Sequence, residues 1–210
     1  MSKGKIILAS SIADIADAIK REIESIPQKR ALFIRTAAEA EEGDKWWLDK
    51  DRKALADAGL EIKDYTLTDK SKEEVKSILK AIDVVCVGGG NTFYLLEKMR
   101  ACAFEELISE FMTNEKVYIG SSAGSIIAGP DIYPAYRIDE MKKAPSLTDY
   151  KGLSLVDFVV MPHWGSDYFR ELYLGERLSH VYDHPENKII LLADDQYILS
   201  IDGWYQIKNV

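Results

Sequence analysis

The 210-residue sequence predicts an α/β fold: a mainly parallel sheet with helices on both faces and an antiparallel hairpin at the C-terminal end. Three observations predict it. Short apolar runs of strand length recur along the chain, stretches with helical spacing separate them, and two glycine-rich turns follow directly on apolar runs. Strands that alternate with helices form parallel sheets, because each crossover helix packs back onto a face of the sheet.

The apolar runs that read as strands are 5–9, 31–35, 60–67, 83–87, 117–121, 158–161 and 189–193. Helical spacing or helix-forming composition covers 11–26, 43–58, 71–81, 92–99, 104–112 and 168–182. The third helix has a marked start: Ser71 stands three residues before Glu74, the spacing of a capping box. Near the end, 197–201 and 204–208 flank Asp202-Gly203, a pair that tolerates positive φ and closes an antiparallel hairpin. The segment 129–152, with Pro130, Pro134 and Pro145, reads as a long functional loop. No repeat, low-complexity tract or linker divides the chain, which is expected to form one domain over 1–210.

Composition bounds the function. A formal net charge of -8 disfavours nucleic acid as a partner, because phosphate binding depends on clustered Lys and Arg. No run approaches the ~18 apolar residues of a membrane span. The N-terminal run 5–9 is too short for a signal-peptide core. Cys86 and Cys102 are the two cysteines, and Cys86 lies inside an apolar run, so a reducing, cytoplasmic setting is expected.

The chemistry concentrates in Val117 through Ala128, an apolar strand, a turn of small residues and a helix start. Gly120-Ser121-Ser122-Ala123-Gly124 fits the nucleophile elbow G-x-S-x-G. Small residues on either side let strand and helix approach while the turn exposes the Ser122 hydroxyl. The following amides, at Ala123 and Gly124, stand at a helix N-terminus and can stabilise an oxyanion. A second turn, Gly88-Gly89-Gly90-Asn91-Thr92, follows another apolar strand and should open on the same carboxyl edge of the sheet. Such a turn can also cradle phosphate, although it lacks G-x-G-x-x-G spacing and a following Lys-Ser/Thr.

A serine nucleophile needs a base, and there are three histidines. His163 follows the run Val159-Val160-Met161-Pro162 and so stands at a strand's carboxyl end. His180 and His184 read as helix-face and helix-end residues. The third member should be a carboxylate at another strand end, which Asp194 and Asp195 both offer after 189–193.

These residues resemble the peptidase E family, the S51 serine peptidases that include aspartyl dipeptidase and, more distantly, cyanophycinase. The carriers are the turn 88–92, the elbow 120–125, the Pro162-His163 pair and the acidic Asp194-Asp195, and the resemblance spans most of the chain. It implies a flavodoxin-like sheet related to class I glutamine amidotransferases, with Ser in place of Cys, and a triad that works without cofactor or metal. Ser122 and His163 carry over directly. The acid is expected at Asp195, with Asp194 next to it and Asp131 in a region also proposed for the triad acid. The family dipeptidase holds the substrate's aspartyl side chain with an Arg, for which Arg170 and Arg177 are candidates. The segment 164–170 departs from the dipeptidase pattern.

The expectation is therefore a monomeric or homodimeric hydrolase that cleaves an amide in a small peptide. Amides of Gly89, Gly90 and Ala123 would hold the oxyanion. An esterase would use the same parts, and a protein that keeps the fold but binds small metabolites without turnover is the reading from another class.

Overall fold

The computed structural model describes residues 4–210. Seven strands form the main sheet: β1 (Lys5–Ala9), β2 (Arg30–Ile34), β3 (Glu61–Tyr65), β4 (Val84–Val87), β5 (Val117–Ser121), β8 (Gln196–Ile201) and β9 (Trp204–Asn209). Their order is β3-β2-β4-β5-β1-β8-β9. The five strands from β3 to β1 run parallel, while β8 and β9 are antiparallel. The hairpin turn adopts the predicted positive φ at both positions, 51° at Asp202 and 83° at Gly203.

Burial explains the apolar runs. All residues of β4 and β5 are buried, as interior strands covered on both faces must be, whereas edge strand β3 exposes Glu61, Lys63 and Asp64. Side chains alternate between the faces. Ile7, Phe33, Cys86 and Ile119 point to a layer shared with α1 (Ala16–Glu22) and α2 (Trp46–Asp57). Leu8, Ile34, Val85, Val87 and Tyr118 point to the other layer, with α3 (Lys72–Leu79), α4 (Thr92–Ala101), α5 (Phe104–Met112) and α6 (Ala123–Ile126). The capping box at α3 is complete. Ser71 Oγ accepts the Glu74 N–H at 3.2 Å, and Glu74 Oε2 accepts the Ser71 N–H at 2.8 Å.

Four features differ from the sequence reading. Strands β6 (Val159–Pro162) and β7 (Ile189–Leu192) leave the main sheet and pair with each other as a parallel two-stranded ribbon. The physical reason is that β8 hydrogen-bonds to the free side of β1 along its whole length, closing that edge to β6. The predicted helix 11–26 is a 3-10 turn, Ala13–Ile15, followed by the short α1. The loop 129–152 contains a 3-10 turn, Tyr133–Ala135, and a one-turn helix, α7 (Ile138–Met141). After β6 the chain forms α8 (Arg170–Leu172), a π-helical turn (Tyr173–Arg177) and α9 (Leu178–Asp183), so the predicted helix 168–182 is present but underwound in its middle.

Candidate active site

The elbow is shaped by close backbone contacts that only glycine permits. A Cβ on Gly124 would lie 2.1 Å from the Val87 carbonyl oxygen at the end of β4, and one on Gly120 would lie 2.5 Å from the Gly124 carbonyl oxygen. Between them Ser122 adopts φ 49°, ψ -108°, a strained conformation for an L-residue that turns its side chain out of the strand. Its N–H donates to the Ala9 carbonyl at 3.0 Å. The neighbouring hydroxyls are committed inward. Ser125 Oγ accepts the Ala9 N–H at 3.0 Å and lies 2.6 Å from the Ala9 carbonyl oxygen, and Ser121 Oγ donates to Asp51 at 2.6 Å. Ser122 is the half-buried serine of the three.

The second glycine-rich turn packs on the first. An added Cβ on Gly89 would lie 3.2 Å from Ser122 Cβ, so this turn roofs the hydroxyl. Gly90 has φ 130° and passes against Ala37, where a Cβ would meet the carbonyl at 2.4 Å. Asn91 then caps α4 by accepting the Tyr94 N–H at 2.9 Å. Among the described residues, the N–H groups of Gly89, Gly90 and Ala123 have no backbone acceptor, which leaves them available to a ligand beside Ser122.

His163 follows β6 with φ 63°. Its Nε2 is 3.1 Å from Ser122 Oγ and its Nδ1 is 2.8 Å from Asp194 Oδ1. Three remote contacts fix the ring and its backbone. Phe169 stacks on the imidazole at 4.4 Å between centroids and 10° between planes. The Tyr173 hydroxyl donates to the Pro162 carbonyl. Ser10 Oγ, just beyond β1, accepts the His163 N–H at 2.9 Å and donates to the Leu192 carbonyl at 3.0 Å, tying the ribbon to the main sheet. Burial holds the imidazole below its ordinary pKa, against the opposing pull of Asp194, so His163 is neutral near pH 7 and able to accept a proton.

The structure corrects the expected acid. Asp195 is exposed, its backbone carbonyl accepting the Val210 N–H at 3.0 Å, whereas the Asp194 carboxylate meets His163 Nδ1 at 2.8 Å. The alternation expected for a strand does not reach these residues. β7 ends at Leu192, and the Gln196 N–H donates to the Ala193 carbonyl at 3.2 Å, so both aspartates occupy a tight turn into β8. Asp131 is spent elsewhere, accepting the Tyr133 N–H at 2.8 Å and Asn187 Nδ2 at 2.7 Å. His180 packs against Tyr133 and Tyr136, and His184 pairs with Glu186, both apart from Ser122.

The two candidate arginines also separate. Arg170 is exposed. Arg177 is 6% exposed and packs over the Tyr173 ring at 5.1 Å, and among the described residues its buried Nε and Nη1 have no hydrogen-bond partner. Its charge acts on His163, adding to the downward shift of the imidazole, and on Glu140, whose carboxyl is raised by burial and opposed by Arg137 and Arg177. A guanidinium fork with unmet donors has the geometry to accept a carboxylate. Sequence reasoning missed Ser10, Phe169 and Tyr173. Only Ser10 left a signal, as the first polar residue after the apolar run 5–9.

A carboxyl-edge serine on a strained elbow, with a histidine and an aspartate in line, is the arrangement of a serine hydrolase. The sequence profile described as peptidase family S51 matches residues 1–207. An uncharacterised peptidase from Listeria monocytogenes is 34% identical over 200 residues, 92% of this chain and 96% of its own length. Another, from Pasteurella multocida, is 37% identical over 160 residues, 76% and 77% of the two chains. Peptidase E of Nostoc is 34% identical over 116 residues, 55% of this chain and 45% of its own. The crystal structure of a provisionally named peptidase E protein from Listeria monocytogenes superposes with TM-score 0.87 at 32% identity, covering 99% of this chain and 98% of the other. A peptidase from an acI-B1 actinobacterium shares the fold, with TM-score 0.71 at 17% identity, over 100% of this chain and 88% of that one. The chain belongs to peptidase family S51 and is a serine peptidase with a flavodoxin-like fold.

Proposed function

We propose that the protein hydrolyses the amide bond of small peptides with an acidic N-terminal residue, through a Ser122-His163-Asp194 triad. The observation that carries this reading is the continuous hydrogen-bond chain from Ser122 Oγ through His163 to Asp194. Ser122 Oγ attacks the scissile carbonyl while His163 Nε2 takes its proton, and the amides of Gly89, Gly90 and Ala123 receive the oxyanion. His163 then returns the proton to the leaving amine, so the C–N bond breaks and an acyl ester remains on Ser122. Water, deprotonated by His163, hydrolyses that ester and restores the serine. Asp194 accepts the Nδ1–H and stabilises the imidazolium formed at each transfer.

The unmet donors of Arg177 support a carboxylate in the substrate, and the relatives named peptidase E agree with a peptide. Two free, buried cysteines suit a reducing cytoplasm. The chain acts as one domain, monomeric or homodimeric, and needs no cofactor.

A panel of dipeptides differing in the first residue tests this. Asp-X or Glu-X should exceed Ala-X in kcat/KM by at least about tenfold, the scale of one charge-assisted hydrogen bond, and Arg177→Met should erase the preference. Equal turnover of neutral dipeptides would remove the acidic specificity. Turnover retained by Ser122→Ala would remove the serine mechanism.

A further inference from the structure

One ionisable group lies sealed behind the elbow and takes no part in the triad. Asp51, on α2, is 4% exposed, and no cation pairs with it among the described residues. Its Oδ2 accepts the Ser121 hydroxyl at 2.6 Å, and its Oδ1 accepts the Ala13 N–H at 2.9 Å. Ser121 Oγ also lies 3.4 Å from the Ile12 N–H. A single carboxylate therefore joins three segments: α2, the first turn after β1, and the residue immediately before Ser122.

Such a carboxylate is costly to keep. Burial pushes the Asp51 carboxyl up to about 6, against the Ser121 hydroxyl and the Ala13 amide, with nearby Asp14 adding to the rise. The Cys86 thiol, on the same face of the sheet, is itself raised by burial and by Asp51. Asparagine would fill the same volume and accept the Ala13 N–H without the desolvation of a charge, so fold stability alone does not call for an acid here. What an acid adds is a strong, short acceptor for Ser121, whose peptide leads directly into the φ 49° of Ser122. Strained backbone persists only where its surroundings over-determine it. On one side the Ala9 carbonyl holds the Ser122 N–H. On the other, Ser121 is drawn toward α2 by Asp51.

We propose that Asp51 is a positioning residue for the nucleophile, acting through the Ser121 hydroxyl to hold the elbow peptide in the orientation that aims Ser122 Oγ at His163. The inference rests on Ser122 as the nucleophile, and its test needs no knowledge of the substrate.

The rate of covalent labelling by a fluorophosphonate reads nucleophile alignment directly. Asp51→Asn should slow labelling by about 10- to 100-fold, the loss expected when a reacting group is displaced by up to about 1 Å, and should lower kcat on dipeptides while KM stays near wild type. Ser121→Ala should slow labelling to a similar extent, and adding Asp51→Asn to it should change little further, because both act through one bond. Circular dichroism at the assay temperature checks folding, and if Asp51→Asn does not fold, Ser121→Ala alone carries the test. Labelling of Asp51→Asn or Ser121→Ala at the wild-type rate would overturn the inference, as would losses that multiply in the double variant. Labelling that survives Ser122→Ala would instead overturn the nucleophile assignment on which it rests.

Discussion

Ser122 and His163 face each other across 3.1 Å, yet the backbone beneath them is of two kinds. Ser122 directly follows β5, an interior strand hydrogen-bonded to β4 on one side and β1 on the other. His163 directly follows β6, whose strand partner is β7 in a separate ribbon. The nucleophile's position is over-determined by local sterics, since a Cβ on Gly120 or Gly124 would lie only 2.5 Å or 2.1 Å from a backbone oxygen, closer than any side chain could be placed. The base depends on single long-range contacts, above all Ser10, which lies 153 residues away in sequence. One half of the site is built into the sheet and the other half is docked onto it.

Substitutions can break that comparison at decreasing scales. His163→Ala should lower kcat/KM by roughly 10⁴-fold or more, as loss of one triad member disables the unit, whereas His180→Ala and His184→Ala should leave it near wild type. Steady-state kinetics of the three variants decides this, and a dead His180 or His184 variant would move the base elsewhere. Ser10→Ala leaves the His163 N–H without its acceptor and frees the ribbon from β1. It should lower kcat by about tenfold, and melting temperature by the few degrees that an unmet buried donor of ~1–3 kcal/mol implies. If kcat is unchanged, Ser10 does not dock the ribbon.

A pH profile sharpens the same contrast. The base must be neutral, so kcat/KM falls as pH drops through the His163 pKa. Burial depresses that pKa, which places the acid limb below the ordinary histidine value near 6.5. Asp194 opposes the depression, so in Asp194→Asn the limb should move to still lower pH. A limb above 6.5 in the wild type would contradict the buried, neutral base.

The smallest effect concerns the sheet-built half. The Asp51 carboxyl titrates near 6 in the folded chain against 3.8 when unperturbed. A raised carboxyl pKa means the folded state binds the proton more tightly, so stability falls as pH rises between these values and is constant above them. Asp51→Asn removes this dependence, and its stability relative to wild type should improve by ~1–3 kcal/mol from pH 4 to pH 7. Denaturant melts at the two pH values check the sign, and no change with pH would mean that the carboxyl titrates normally.

The same division decided what could be read from sequence. Elements set by local pattern were legible: the alternation of apolar runs and helices, the capping box at Ser71, the Asp202-Gly203 turn and the elbow itself. Residues set by docking were not. Nothing near 158–161 signals that β8 excludes β6 from the main sheet, and nothing in Asp194-Asp195 signals a turn, because five preceding apolar residues read as a strand that would carry its alternation onward. That error exchanged the two aspartates. Phe169 and Tyr173 act on His163 and Pro162 through a chain reversal that spacing does not reveal. Asp51 lies in a helix whose charged residues otherwise face solvent, so its burial against Ser121 has no local mark.

One of two adjacent carboxylates completes the docked half of the site, and the geometry selects Asp194. Side-by-side kcat/KM values for Asp194→Asn and Asp195→Asn test it most directly, since the residues are adjacent and chemically identical. Asp194→Asn should reduce kcat/KM by at least ~10²-fold, toward the ~10⁴-fold loss seen when a triad aspartate is amidated, while Asp195→Asn stays near wild type. The reverse pattern, with Asp195→Asn crippled and Asp194→Asn active, would contradict the triad described here.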